Sequence, residues 1–277
     1  MFELPIDRPA LMGIVNVTPD SFSENGLNFE SQSAIEAGIR MIEDGADLLD
    51  VGGESTRPGA DPVSEDEEIR RVLPVIKALA AKSIAVSVDT RKPAVARAAL
   101  SAGAQIVNDV TALEDPQMAA VCAEAGCTVC LMHMKGAPQT MQAKPVYDDV
   151  VAEVLAFLLD RVTMAGRVGV LRERIWLDPG IGFGKTPIHN LELLHGLPQF
   201  VATGLPVLIG VSRKSSIGVY SGGAAVDQRL PGSLAAQVLA QASGVRIVRA
   251  HDVREARQAI DVAAAILKPS SFSMRPA

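Results

Sequence analysis

Val207-Leu208-Ile209-Gly210-Val211-Ser212-Arg213-Lys214-Ser215-Ser216 joins an apolar run to a cluster of hydroxyls and cations. Five residues of mostly aliphatic and β-branched character, stopped by polar ones, read as a strand. The polar residues beyond the strand are costly to bury without partners. The same arrangement recurs along the chain, with runs near Leu11 to Val15, Asp47 to Val51, Ile84 to Val88, Gln105 to Val107, Thr128 to Met132, Ile175 to Leu177 and Ile247 to Val248. Their polar terminators are Asn16, Glu54, Asp89, Asn108, His133, Asp178 and Arg249 with His251, and Lys214 completes the set.

Helical patterns separate the runs. Ile69, Val72, Leu73, Ile76 and Leu79 recur at helical spacing after the acidic first turn Glu65-Asp66-Glu67-Glu68, and Ser64 with Glu67 has capping-box spacing. Asp252 with Glu255 repeats that spacing before Val253, Ala256, Ile260, Ala263, Ala264 and Leu267, and Val151, Val154, Leu155, Leu158 and Val162 mark another stripe. Alternating strand and helix means parallel strands with right-handed crossovers. A doubly wound open sheet shares that alternation. The polar strand ends favour a closed (β/α)8 TIM barrel, because a barrel opens all its carboxyl-terminal strand ends on one face. A length of 277 residues suits one such barrel as a single domain spanning residues 1–277.

A formal charge of −6 argues against a nucleic-acid partner, which would call for a basic face. Hydrophobic residues at 48% and charged ones at 21% describe an ordinary globular chain. No run is long enough to span a membrane, and the first residues lack a basic, apolar and cleavable leader, so a cytoplasmic location is expected. Cys127 and Cys130 stand three apart on a strand and so face opposite sides, which favours core packing over a metal or redox pair. Walker A, HExxH and GxSxG motifs are absent, and Pro179 and Phe183 interrupt the resemblance of Gly180-Ile181-Gly182 to a dinucleotide loop.

Asp89, Asp178, Asn108 and Asn16 offer two carboxylates and two amides, able together to read the edge of a guanidine-like heterocycle such as a pterin or guanine; each could instead cap a following helix or turn. Arg213, Lys214, Arg249 and His251 follow the last two strands, the usual phosphate corner of a barrel, and Arg57 adds a cation. Ser215 and Ser216 are placed to cap a helix whose amino end would attract an anion. Thr18 to Glu30 and Glu54 to Ser64 lack apolar periodicity and read as long loops over the barrel mouth, and His133 to Pro145 as a third, with Met134 either flooring the pocket or filling a gap.

Five ordered blocks then resemble the dihydropteroate synthase family: Asn16 to Ser23, Asp50 to Gly59, Asp178 to Lys185, Ser212 to Ser215 and Arg249 to Val253. The resemblance implies condensation of a dihydropterin methyl diphosphate with 4-aminobenzoate in folate synthesis. Carried over by position, Asp89, Asn108, Asp178 and Lys214 would bind the pterin, with Arg249 over its face. Asn16, Arg57, Arg249 and His251 would hold the diphosphate, Asn16 through Mg2+. Thr56, Pro58, Phe183, Ser212 and Lys214 would surround 4-aminobenzoate, with Phe22 closing the site and Gly210 and Met134 also in contact with substrate. Asp89, Lys214, Arg249 and His251 would be catalytic. The resemblance further implies a homodimer and a site that sulfonamides address. One departure is Ser23-Glu24-Asn25-Gly26, where the family commonly has Ser-Asp-Gly-Gly. A pterin-binding methyltransferase would share the Asp and Asn contacts but lack the Thr56-Arg57-Pro58 and Ser212-Arg213-Lys214 blocks; a non-catalytic pterin-binding paralogue is the other alternative.

Overall fold

Each apolar run forms a strand, and each strand feeds a helix packed outside it. The computed structural model describes residues 2–17, 26–55, 61–136 and 140–269. The strands are β1 (Ala10–Asn16), β2 (Leu48–Gly52), β3 (Val86–Asp89), β4 (Ile106–Asp109), β5 (Thr128–Met132), β6 (Ile175–Asp178), β7 (Leu208–Gly210) and β8 (Ile247–Ala250). Their pairings are all parallel, in the order β6-β5-β4-β3-β2-β1-β8-β7. A parallel bridge between Leu177 and Val207 joins the two ends, where the Leu177 N–H donates to the Pro206 carbonyl at 2.9 Å. That contact closes the ring, so the fold is the (β/α)8 barrel and not the open sheet.

The helices are α1 (Gly26–Glu43), α2 (Glu65–Ala80), α3 (Pro93–Ser101), α4 (Pro116–Ala125), α5 (Val150–Arg167), α6 (Pro187–His195), α7 (Leu197–Val201), α8 (Ser215–Tyr220), α9 (Leu230–Ala242) and α10 (Val253–Leu267). Val72, Val75, Ile76 and Leu79 form the buried stripe of α2, and the Ser64 hydroxyl accepts from the Glu67 N–H at 3.3 Å. Only half of the expected capping box forms there, because the Glu67 carboxylate takes Arg70 and Arg71 instead. The box expected at Asp252 is absent: its carboxylate is taken by Arg213, and α10 starts without a side-chain cap. Neither Ser215 nor Ser216 caps α8, whose N-cap position is Lys214. Residues 26–30, read from sequence as loop, open α1. Gly26 and Asn28 are poor helix formers, but the helix they open is held by packing further along, through Ala34, Ile35 and Ile39 on the barrel core.

Period-two alternation divides every strand between two cores. Leu49 and Val51, Val86 and Val88, and Val129 and Leu131 face outward into the helix layer. Ala10, Met12, Leu48, Ile106, Cys130, Trp176, Leu208 and Ile247 fill the bottom of the barrel, closed below by Phe2 edge-on to Trp176 at 6.4 Å. Cys127 belongs to the outer core and Cys130 to the inner one, as their spacing requires, and all three cysteines are free and buried.

Candidate active site

Above the apolar plug, the same inward rows turn polar. Two residues beyond Leu48 comes Asp50, beyond Ile106 Asn108, beyond Trp176 Asp178, beyond Ile247 Arg249. Lateral register sets these side chains beside one another: Asp89 pairs with Asn108, Met132 with Asp178 and Gly210 with Arg249. They line one pocket at the carboxyl-terminal mouth, with Asp89, Asn108, Asp178, Lys214, Arg249 and His251 as its ionisable and amide groups. Ile14, Val110, Met132, Ile181 and Phe183 supply its apolar surface, and Gly210 and Ser212 complete it.

Arg249 sits at the centre of a buried charge system. Its Nε donates to Asp50 Oδ2 at 2.6 Å and its Nη2 to Asp89 Oδ2 at 2.9 Å. Asn108 Nδ2 donates to the same Asp50 oxygen at 3.0 Å. Burial opposes charge on Arg249, but the two carboxylates outweigh it and hold the guanidinium above its ordinary pKa. Burial, followed by the neighbouring Asp50 carboxylate, pushes Asp89 up to about 7 despite the guanidinium. Burial also raises Asp178, whose Oδ1 accepts from the Gly180 N–H at 2.7 Å. Lys214 is lowered by burial to about 8, and its Nζ stands 4.0 Å from the centre of the Phe183 ring.

The loop after β6 carries Phe183 and is folded tightly onto the end of β5. Gly180, at φ 69°, passes so close that an added Cβ would lie 1.9 Å from the His133 carbonyl oxygen. Gly184, at φ 64°, makes a similar approach, 2.3 Å, to the Lys135 carbonyl oxygen. Lys185 fastens the two segments from inside: its Nζ contacts His133 Nδ1 at 2.9 Å and donates to the carbonyls of Phe183 at 3.0 Å and His133 at 3.2 Å. Burial lowers Lys185 to about 7, and burial followed by Lys185 lowers His133 to about 3, so the imidazole is neutral and Nδ1 is its acceptor. At the opposite rim, the Ser212 hydroxyl lies 3.0 Å from His251 Nδ1 and accepts from the His251 N–H at 3.2 Å.

Nine of the expected site residues thus meet in one pocket: Asp89, Asn108, Asp178, Phe183, Gly210, Ser212, Lys214, Arg249 and His251. Asn16 ends β1 with its side chain exposed at the rim. Met134 is half-buried in the loop beyond β5, and the methionine that lines the pocket is Met132. Arg213 turns outward to Asp252, Nε to Oδ2 at 2.9 Å, leaving the corner to Lys214, Arg249 and His251. His133 is engaged with Lys185 behind the pocket, and Glu54 binds Lys92 and Arg91 at the root of the second loop. Phe22, Thr56, Arg57 and Pro58 lie outside the described residues. Sequence reading missed Asp50 and Lys185 as parts of the site's framework. Asp50 was legible in principle, being the next inward position after Leu48, whereas the partner of Lys185 depends on a fold of the loop that spacing does not encode.

The profile of the pterin binding enzyme family matches residues 12–251. The dihydropteroate synthase of Escherichia coli (strain K12) is 46% identical over 265 residues, covering 95% of this chain and 94% of its own. The chain belongs to the dihydropteroate synthase family of pterin-binding enzymes. Solved members of the family agree with it in fold as well as sequence. Xanthomonas albilineans dihydropteroate synthase with 4-aminobenzoic acid has a TM-score of 0.88 at 49% identity, covering 94% of this chain and 93% of that one. The complex of the Xanthomonas albilineans enzyme with 7,8-dihydropteroate has a TM-score of 0.86 at 46% identity, covering 95% of each chain.

Proposed function

We propose that this pocket binds (7,8-dihydropterin-6-yl)methyl diphosphate and condenses it with 4-aminobenzoate, giving 7,8-dihydropteroate and diphosphate. The observation that carries the residue assignment is a single pocket lined by hydrogen-bond acceptors, Asp178 and Asn108, together with the cations Lys214 and Arg249. Asp178 and Asn108 accept from the 2-amino and ring N–H groups of the pterin, and Lys214 donates to its ring acceptors. Arg249 covers the ring, and with His251, Asn16 and Arg57 it receives the diphosphate. Phe183, Lys214 and Ser212, with Thr56, Pro58 and Phe22, enclose 4-aminobenzoate, and Gly210 keeps the floor low beside Arg249, where an added Cβ would meet the arginine's Cβ and Cδ at 4.0 Å.

The bond from the pterin methylene to the diphosphate oxygen breaks, and its electron pair leaves with diphosphate. The resulting cation is shared with the ring. The arylamine lone pair forms the new C–N bond, and the amine proton departs to solvent or to the diphosphate. No side chain becomes covalently attached, so catalysis is electrostatic and positional. The Asp89 carboxylate stabilises the ring cation, Arg249 and His251 stabilise the leaving charge, and Lys214 holds the ring and the arylamine in place.

Mg2+ fits this scheme at Asn16. The donor there is one exposed amide oxygen, and no group of three His, Cys, Asp or Glu able to hold a metal ion occurs among the described residues. A cation bound mainly by diphosphate oxygens and water suits that sparse set, and it would neutralise charge on the leaving group. Leu239 on α9 with Val262 and Ile266 on the adjoining α10 are exposed apolar side chains suited to a homodimer contact. No helix among the described residues is long and apolar enough to cross a membrane, which supports a cytoplasmic location.

Diphosphate release should depend on added 4-aminobenzoate, with dihydropteroate formed in equal amount; release without stimulation by the arylamine, or without that product, would refute the assignment. The reaction's pH dependence tests Asp89. With its pKa near 7, kcat/KM should climb through a limb around that pH as the carboxylate ionises, and Asp89→Asn should remove the limb. The stability of the free protein should move the other way. A group whose pKa rises on folding stabilises fully below its unfolded value, near 4, and loses that contribution as pH rises through about 7. Thermal unfolding of the wild type, measured against Asp89→Asn, should therefore weaken between those pH values.

A further inference from the structure

Asp50 lies wholly inside the barrel, at 0% exposure, in the same inward layer as Asn108 and Arg249. One of its oxygens, Oδ2, receives both Arg249 Nε and Asn108 Nδ2. A carboxylate held by a guanidinium offers only acceptors, so the amide of Asn108 must turn its NH2 end towards Asp50. Reversing the amide would set its oxygen against Oδ2 at the present 3.0 Å contact, acceptor on acceptor. Asn108 is 5% exposed and lines the pocket, and its Oδ1 has no hydrogen-bond partner among the described residues. A buried acceptor in that state calls for a donor from a ligand.

We infer that Asp50 is a positioning residue that makes the site select a 2-amino pyrimidine edge over a 2-oxo one, by locking Asn108 with its oxygen towards the ligand. The inference rests on the placement of the pterin in this pocket. Asp178, the other pterin acceptor in the pocket, also opposes a 2-oxo group but needs no lock, because a carboxylate has no donor to turn towards it. Asn108 is the one of the two acceptors that rotation could convert into a donor, and while it is locked the exchanged oxygen meets its Oδ1. With the lock removed, the amide can rotate and donate to the 2-oxo group.

Calorimetric titration of the full chain with 6-hydroxymethylpterin and with 6-hydroxymethyllumazine, in which oxygen replaces the 2-amino group, tests this. The wild type should prefer the pterin by on the order of a hundredfold or more, as sites built around a specific hydrogen bond do. Asp50→Ala should narrow the preference by about tenfold, chiefly by tighter lumazine binding. Asp50→Asn keeps an oxygen where Oδ2 stands, so its preference should stay within about twofold of wild type although the charge is gone. An unchanged ratio in a folded Asp50→Ala, or a ratio in Asp50→Asn as narrow as that in the alanine variant, would overturn the inference. If the alanine variant fails to fold, Asp50→Ser takes its place: a hydroxyl can donate to a reversed amide as well as accept, so the preference should narrow there too, and an unchanged one refutes the lock. Asn108→Ala tests the pterin placement itself: undiminished pterin affinity there would remove it, whatever Asp50 does.

Discussion

Arg249→Ala is expected to lower kcat/KM for dihydropteroate formation by on the order of a thousandfold or more, measured as dihydropteroate formed at steady state. The guanidinium bridges two buried carboxylates, with contacts of 2.6 Å to Asp50 and 2.9 Å to Asp89. Its removal strips positive charge from the place where the diphosphate departs and leaves Asp50 and Asp89 without their shared cation. Opening a buried pair usually costs about 3–5 kcal/mol of stability. Here the loss should fall below that range, because Asp89, already at about 7, can take up a proton and cease to repel its neighbour. Activity should thus fall far more than stability. Arg249→Lys restores the charge without the planar fork and should recover only part of the rate, since an ammonium cannot span both carboxylates in the same geometry. Wild-type turnover in the alanine variant would refute the role given to Arg249.

Gly180→Ala should be the most damaging single methyl group added to the β6 loop. At φ 69° the backbone is in the left-handed region, which costs an L-residue about 1–2 kcal/mol. The added Cβ would also lie 1.9 Å from the His133 carbonyl oxygen, a backbone atom that cannot rotate aside. Relief of such overpacking adds about 1–3 kcal/mol, giving a total of about 3 kcal/mol in urea or thermal unfolding. Displacement of the loop should also carry Phe183 away from Lys214 and break the Gly180 N–H bond to Asp178, raising KM for both substrates. A variant as stable as wild type would mean that the loop can adopt another path. By contrast, Gly204→Ala changes a glycine of similar φ, 76°, with nothing near its Cβ position, and isolates the cost of the backbone conformation alone.

Legibility in the sequence tracks the range of the forces concerned. Strand and helix alternation is local, and β5 was readable to the residue; β3, β4, β6 and β8 run on into Asp89, Asp109, Asp178 and Ala250, because backbone pairing continues beneath polar side chains that end an apolar pattern. Asp89, Asn108, Asp178 and Arg249 were found as strand ends for the same reason. Capping was read less well. Asp252 is committed to Arg213, a partner 39 positions away that no local pattern announces. His133 looked like a mouth residue until the fold of the glycine loop placed Lys185 behind it. Asp50 stood within the expected second strand, two positions after Leu48 and so on its inward face, but nothing local announces the Arg249 and Asn108 that hold it, partners 199 and 58 positions away. The pterin and the arylamine came from resemblance, not from periodicity.

The stacking of the pocket also divides its tolerance to sequence change. On the proposed binding scheme, the pterin residues Asn108, Asp178 and Arg249 stand on barrel strands, with Asn108 and Arg249 hydrogen-bonded to buried Asp50, so a substitution there that excludes a pterin mimic disturbs the fold and the natural substrate together. Phe183 and Ser212 stand beyond the strand ends, where side chains can be exchanged without recutting the barrel interior. Selection by a compound that imitates the arylamine therefore meets an adaptable surface, and selection by one that imitates the pterin meets a constrained one.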